Sequence, residues 1–207
     1  MFFAPGTHRV YTKTALVNKY SRGRPMLVGL GLLFCACAGQ PAVFSQPGPV
    51  YLTNTRAVHA LSAAKLGTSL SIYQGVEGFY QKQSYYLEAI VQATPSEISV
   101  TALSNFGTQV YDLVYNDSGI KFSGAQNIKP EYMLVDFELC YFPASSIKEM
   151  LEPAGLALEE TAQPGGWVRK IYDGKTVLIE IARSGRELRY RNLLRGYGYT
   201  ITERDNA

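Results

Sequence analysis

The chain is poor in the residues that do most enzyme chemistry. It has 2 histidines, 3 cysteines and 1 tryptophan in 207 residues. One histidine, His8, lies in the basic N-terminal stretch, so a serine hydrolase triad would depend on His59 alone. No Gly-x-Ser-x-Gly elbow is present. No cluster of histidine, cysteine and carboxylate has metal-ligand spacing. No glycine loop suits a phosphate, since Gly196-Tyr197-Gly198 lacks the rest of that pattern. No repeat of about 20 to 50 residues is visible. These absences argue against an enzyme and against a metal or other cofactor.

Long apolar runs are missing too. Met26 to Phe34 is uncharged and mostly apolar, far short of the roughly 20 residues that span a bilayer. What surrounds it is more telling. Arg22 and Arg24 precede it, and Cys35-Ala36-Cys37 follows. A basic region, a short apolar region and a small residue before a cysteine form a lipoprotein export signal. Cleavage after Ala36 would leave Cys37 to carry the lipid. Cys35 fits less well, because bulky Phe34 would stand at the cleavage point. An uncleaved anchor or a buried helix is the alternative. The stretch before Arg22 is long for such a signal, which suggests a start further along the chain.

Acidic residues are absent from 1–36, which hold five basic ones. The remainder carries 15 basic and 17 acidic residues, so the +3 of the whole chain belongs to the targeting stretch. A basic balance confined there is no argument for nucleic acid. Of the cysteines only Cys140 would stay free, as a small buried apolar residue. We therefore expect a signal peptide over 1–36, a lipidated tether and lead-in over 37–66, and one β domain over 67–204.

The prolines at 41, 47 and 49 suggest an extended, unpaired lead-in, with Ala57 to Leu66 as a short helix. From Ser69 the pattern becomes strand after strand. Ser84 to Ala93 alternates, with Tyr86, Glu88 and Ile90 on one face and Tyr85, Leu87, Ala89 and Val91 on the other. Asn116-Asp117-Ser118-Gly119 and Asp173-Gly174 are hairpin turns. The period shifts after Pro130. Met133, Leu134, Phe137 and Cys140 recur at helical spacing, although Met133, Val135, Phe137, Leu139 and Tyr141 also alternate as in a strand. Asp136 and Glu138 read as the polar face of that segment. Pro143 breaks it, and Ala144 to Glu152 carries a helical stripe of Ile147, Met150 and Leu151. Strands return to the end, with Val177, Ile179 and Ile181 sharing a face. Nine or ten antiparallel strands with a helical insertion predict a mainly β fold, a sheet curled into a barrel or half-barrel to hide its edges.

The order of these features resembles LolB, the outer-membrane lipoprotein that receives lipoproteins, and its relative LolA. It is most similar to a LolB-like group of bacterial lipoproteins often encoded beside aryl polyene or fatty-acid-like biosynthesis genes. The lipobox carries the resemblance, together with the strands YYLEAIVQATPSEISVTALSNFGTQVYDLVYNDSGIKF, the insert PEYMLVDFELCYFPASSIKEMLEPAG and the closing NLLRGYGYTI. The resemblance implies a half-open antiparallel β-barrel lidded by helices, with an apolar cavity for acyl chains. It implies a lipid-anchored, periplasm-facing outer-membrane protein that binds or transfers an acyl lipid or lipoprotein. The loop leucine by which LolB meets the membrane corresponds here to Phe106, where the motif's proline is absent. The alternative for Phe106 is packing on its own hairpin. Expected cavity residues are Tyr86, Ile90, Phe137, Tyr141, Trp167, Val177 and Ile179, each of which also suits plain core. Arg183, Arg186, Arg189, Arg191 and Arg195 form a basic cluster that would face anionic lipid or solvent. A second function class is a structural lipoprotein that assembles envelope or biosynthetic partner proteins.

Overall fold

The computed structural model describes residues 43–80, 83–124 and 128–204. The expected signal peptide and the lipidation candidate Cys37 lie outside them.

Two meanders of five strands build one ten-stranded antiparallel sheet. A small hairpin precedes it, β1 (Val50–Tyr51) and β2 (Ala57–Val58). The first meander is β3 (Leu70–Tyr80), β4 (Gln83–Ala93), β5 (Glu97–Leu103), β6 (Gln109–Asn116) and β7 (Gly119–Gly124). Two helices follow, α1 (Pro130–Tyr141) and α2 (Ala144–Leu151). The second meander is β8 (Ala157–Gln163), β9 (Gly166–Asp173), β10 (Thr176–Ser184), β11 (Glu187–Asn192) and β12 (Tyr197–Arg204). The sheet order is β7-β6-β5-β4-β3-β12-β11-β10-β9-β8, and β7 does not pair with β8, so the sheet is not closed.

Local chemistry explains the turns. Gly174 and Gly119 adopt positive φ, 58° and 116°, as hairpin turns require. Pro130 opens α1 with Glu131 in its first turn, where a missing N–H and a negative charge both suit a helix start. Pro143 forces Phe142 into extended backbone and ends α1. No basic residue of α1 lies in its last turn. Arg169 of β9 supplies that charge instead, donating from Nη1 to the Leu139 carbonyl at 2.9 Å.

The strand alternation sends one face inward in most of the sheet, while β8 stays largely exposed. Ile98, Ile171, Ile181, Leu188 and Tyr190 are fully buried. They pack with Leu134, Val135 and Leu139 of α1 and Ile147 and Leu151 of α2. The ambiguous segment after Pro130 is helix. A register shift between Val177 and Ile179 in β10 lets both Leu178 and Ile179 turn into the core, as a bulge does.

The lead-in differs from its expectation. Ala57 to Leu66 is not a helix: it forms β2 and then one 3-10 turn over Ala63–Leu66, which Gly67 closes at φ 75°. Nor does the segment hang free. Ser45 exchanges two backbone hydrogen bonds with Ile120, at 2.9 and 2.7 Å. Val50, Leu52, Val58, Ala63 and Leu66 are buried in the main core. The prolines left the neighbouring apolar residues free to pack, and burial of each valine or leucine is worth about 1.5 to 3 kcal/mol.

Candidate functional site

A cavity of about 150 Å³ lies between α1 and the inner face of β3, β4, β5, β6 and β12. Its depths are aliphatic, with Val91, Ile98, Val100, Leu113 and Ile201. Nearer one end of the sheet the walls turn aromatic, with Tyr80, Tyr85, Tyr132, Phe137 and Tyr197. Lys129, at the start of α1, also borders it. Among the described residues no group of histidine, cysteine and carboxylate could hold a metal ion.

Glycine makes room for one wall. A Cβ on Gly78 would stand 2.0 Å from Cζ of Tyr85. The Tyr85 ring crosses β3 at that point, and any side chain there would push it toward the cavity.

The polar centre of the cavity is Asp136. Tyr190 donates to its Oδ1 at 2.6 Å and Tyr197 to its Oδ2 at 2.9 Å. The Tyr190 ring stacks on Tyr199 at 4.7 Å between centroids, nearly parallel. Burial raises the Asp136 carboxyl to about 6, against the pull of the two hydroxyls and of Arg195. Burial likewise raises the hydroxyls of Tyr190, Tyr197 and Tyr199 well above the usual phenol range. All three stay neutral donors at physiological pH.

Glu138 lies on the other side of α1 and is fully buried. Its Oε1 accepts the Leu61 N–H at 3.0 Å, while Oε2 has no partner among the described residues. Burial raises this carboxyl far above the ordinary carboxylate range. The expectation that Asp136 and Glu138 form the polar face of their segment is thus corrected. α1 is covered on two sides, by the sheet and by the lead-in, so it has little solvent face on which to place them.

The expected cavity residues divide. Phe137 and Tyr141 line the cavity and stack on each other at 4.9 Å. Tyr86 and Ile90 sit on the opposite face of β4, where Tyr86 accepts from Arg204 at 2.9 Å and Ile90 is 42 % exposed. The cavity takes the alternate set, Tyr85, Leu87, Ala89 and Val91. Ile179 is core of the second meander. Trp167, on β9, packs against the core and its ring carries the Arg169 guanidinium at 4.0 Å. Val177 precedes the β10 register shift. None of these three borders the cavity. Sequence reasoning missed Asp136 and the tyrosines around it. The signal was present, a carboxylate on the same helical face as Met133, Phe137 and Cys140.

The turns at the two ends of the sheet contrast. At the end where Tyr80 pairs with Gln83 stand Phe106, 87 % exposed, Leu193 and Leu194, both about half exposed, and Phe79, along with the polar Asp173-Gly174 turn. The cavity reaches this end, bordered there by Phe79, Tyr80 and Lys129. Phe106 projects from its hairpin rather than packing on it. At the other end the turns are Thr94-Pro95-Ser96, Asp117-Ser118, Pro164-Gly165 and Ser184-Gly185. Arg189 and Arg191 point outward from β11 while Leu188 and Tyr190 point in.

No curated protein matches the chain. A family model described as a protein of unknown function, DUF3261, matches residues 71–205, from β3 through β12, and the chain belongs to that family.

Proposed function

We propose that this protein is a LolB-like, half-barrel lipoprotein of the outer membrane that binds the apolar end of an acyl ligand and passes it to or from the membrane. The cavity carries this reading. An unclosed antiparallel sheet with a helix against its inner face, and an aliphatic pocket between them, supports binding of hydrocarbon. Each buried methylene would contribute about 0.8 kcal/mol. A cavity of comparable volume takes up benzene, so this one holds the end of a chain, with the remainder running toward the Phe106 and Leu194 turns. Those exposed apolar tips, at the end the cavity reaches, support contact with a lipid surface. Lipidation at Cys37 would keep the domain beside that surface.

The test is native mass spectrometry of the protein made in a bacterial envelope. Acyl chains should co-purify with the wild type and with an Ile90→Arg variant on the outer face. They should be lost on Leu87→Trp, which fills the cavity. A ligand-free wild type that also takes up no N-phenyl-1-naphthylamine would remove the carrier reading.

A further inference from the structure

The cavity is not uniformly apolar. Its one carboxylate, Asp136, lies partway along it, with aliphatic walls beyond and tyrosine rings around. Tyr190 and Tyr197 fix the carboxylate, one on each oxygen, which leaves acceptor capacity on both. Among the described residues no salt bridge neutralises it: the Arg195 guanidinium lies over the Tyr132 ring at 5.5 Å and donates to the Tyr51 carbonyl. A fixed negative charge with acceptor capacity to spare, held by hydroxyls on both oxygens, is the chemistry that receives an alkylammonium. Hydrocarbon walls beyond it fit a tail.

Resting on the carrier reading above, we infer that the cavity prefers a cationic amphiphile: an apolar chain ending in a protonated amine, which Asp136 receives while the chain enters the aliphatic depths. A fatty acid of the same length would set its carboxylate against that of Asp136. Lys129, at the start of α1, lies seven residues from Asp136, about 10 Å along the helix, and helps the acid little. The groups that face the carboxylate are Tyr190 of β11, Tyr197 and Tyr199 of β12, Tyr85 of β4 and Arg195 of the turn before β12, with Cys140 on its own helix. Asp136 itself titrates near pH 6.

The experiment is displacement of N-phenyl-1-naphthylamine from the full-length protein at pH 7.5 by octylamine, octanol and octanoate. Octylamine should displace the dye at a concentration at least about tenfold lower than octanoate, the range of a charge-assisted hydrogen bond. Asp136→Asn should shrink that gap to about twofold or less. At pH 5, where Asp136 has taken up its proton, the wild type should lose octylamine's advantage over octanol, which does not titrate, without any substitution; this guards against a variant that fails to fold. Octanol binding without amine preference, or a preference that survives both Asp136→Asn and pH 5, would overturn the inference alone. Failure of the dye and all three octyl compounds to bind would overturn the carrier reading and this inference together.

Discussion

Glu138 and Leu61 tie the lead-in to α1 through a single hydrogen bond, from the Leu61 N–H to Oε1 at 3.0 Å. Leu61 precedes the family-matched region and Glu138 lies within it. The bond therefore joins a segment the family model does not cover to the helix that walls the cavity.

This pair sets a pH dependence. A carboxyl whose folded pKa is raised holds its proton more tightly in the folded chain. Its contribution is fully present below the unfolded value near 4 and is lost as pH rises through the folded one. Wild-type stability should therefore fall from mildly acid to alkaline pH. Glu138→Gln keeps an acceptor for Leu61 and cannot ionise, so it should flatten that fall and exceed the wild type above neutrality. Glu138→Leu should cost about 1 to 3 kcal/mol at pH 5, where it strands a buried N–H. Urea unfolding at several pH values checks both.

Asp136 acts over a narrower window. Its shift from 3.8 to about 6 has the same sign, so stability should decline between about pH 4 and pH 6, by no more than about 3 kcal/mol. Asp136→Asn should remove that decline, read from the unfolding midpoint across this range. A decline of unchanged size in the variant would assign it elsewhere.

Gly78 and Tyr85 should show strong coupling. Gly78→Ala should cost about 1 to 3 kcal/mol and lower dye uptake, because the displaced ring moves toward the cavity. In a Tyr85→Ala background the same substitution should cost much less. A double-mutant cycle on thermal or denaturant stability measures the difference.

Arg169 joins three parts of the fold. It pairs with Glu160 of β8, donates to the Leu139 carbonyl of α1 and lies over Trp167. Arg169→Met should destabilise by about 3 to 5 kcal/mol, since it leaves the Leu139 carbonyl without its donor and Glu160 without its pair. Arg169→Lys should recover only part of this, because an ammonium cannot fork to two acceptors while lying flat on the indole.

The apolar turns should matter for membranes and not for folding. Phe106→Asp with Leu194→Asp should leave unfolding within about 0.5 kcal/mol of wild type, as exposed sites do. The pair should also weaken binding of the protein to phospholipid vesicles several-fold in a flotation assay. Unaltered vesicle binding would take these turns out of the proposed membrane contact.

Much of the fold was legible because strand alternation and turn residues are local signals. The Ser84–Ala93 alternation sorts its residues into the two faces the structure shows, and the hairpins at Asn116–Gly119 and Asp173–Gly174 stand where the turn residues place them. Which face looks inward was not legible. Tyr86 and Ile90 are as apolar as Tyr85 and Leu87, and only packing against α1 decides between the sets. The same limit hid Asp136 and Glu138. A carboxylate reads as solvated until the elements covering both sides of its helix are known. Phe137 and Tyr141 were found because their spacing along one helix already puts them on one face.

The junction of β3 and β12 gives the molecule a folding problem as well as a shape. Each meander is made of neighbours in sequence and can form on its own contacts. The seam between them joins distant residues, and across it Arg204 reaches Tyr86, 118 positions away. Closing so long a loop is entropically costly and slow. Until β12 arrives, β3 and β12 are both open edges, and the cavity lacks the wall that Tyr197, Tyr199 and Ile201 provide. The cavity therefore exists only once the two half-sheets have docked, and a chain in which they have not would expose the surfaces buried at the seam.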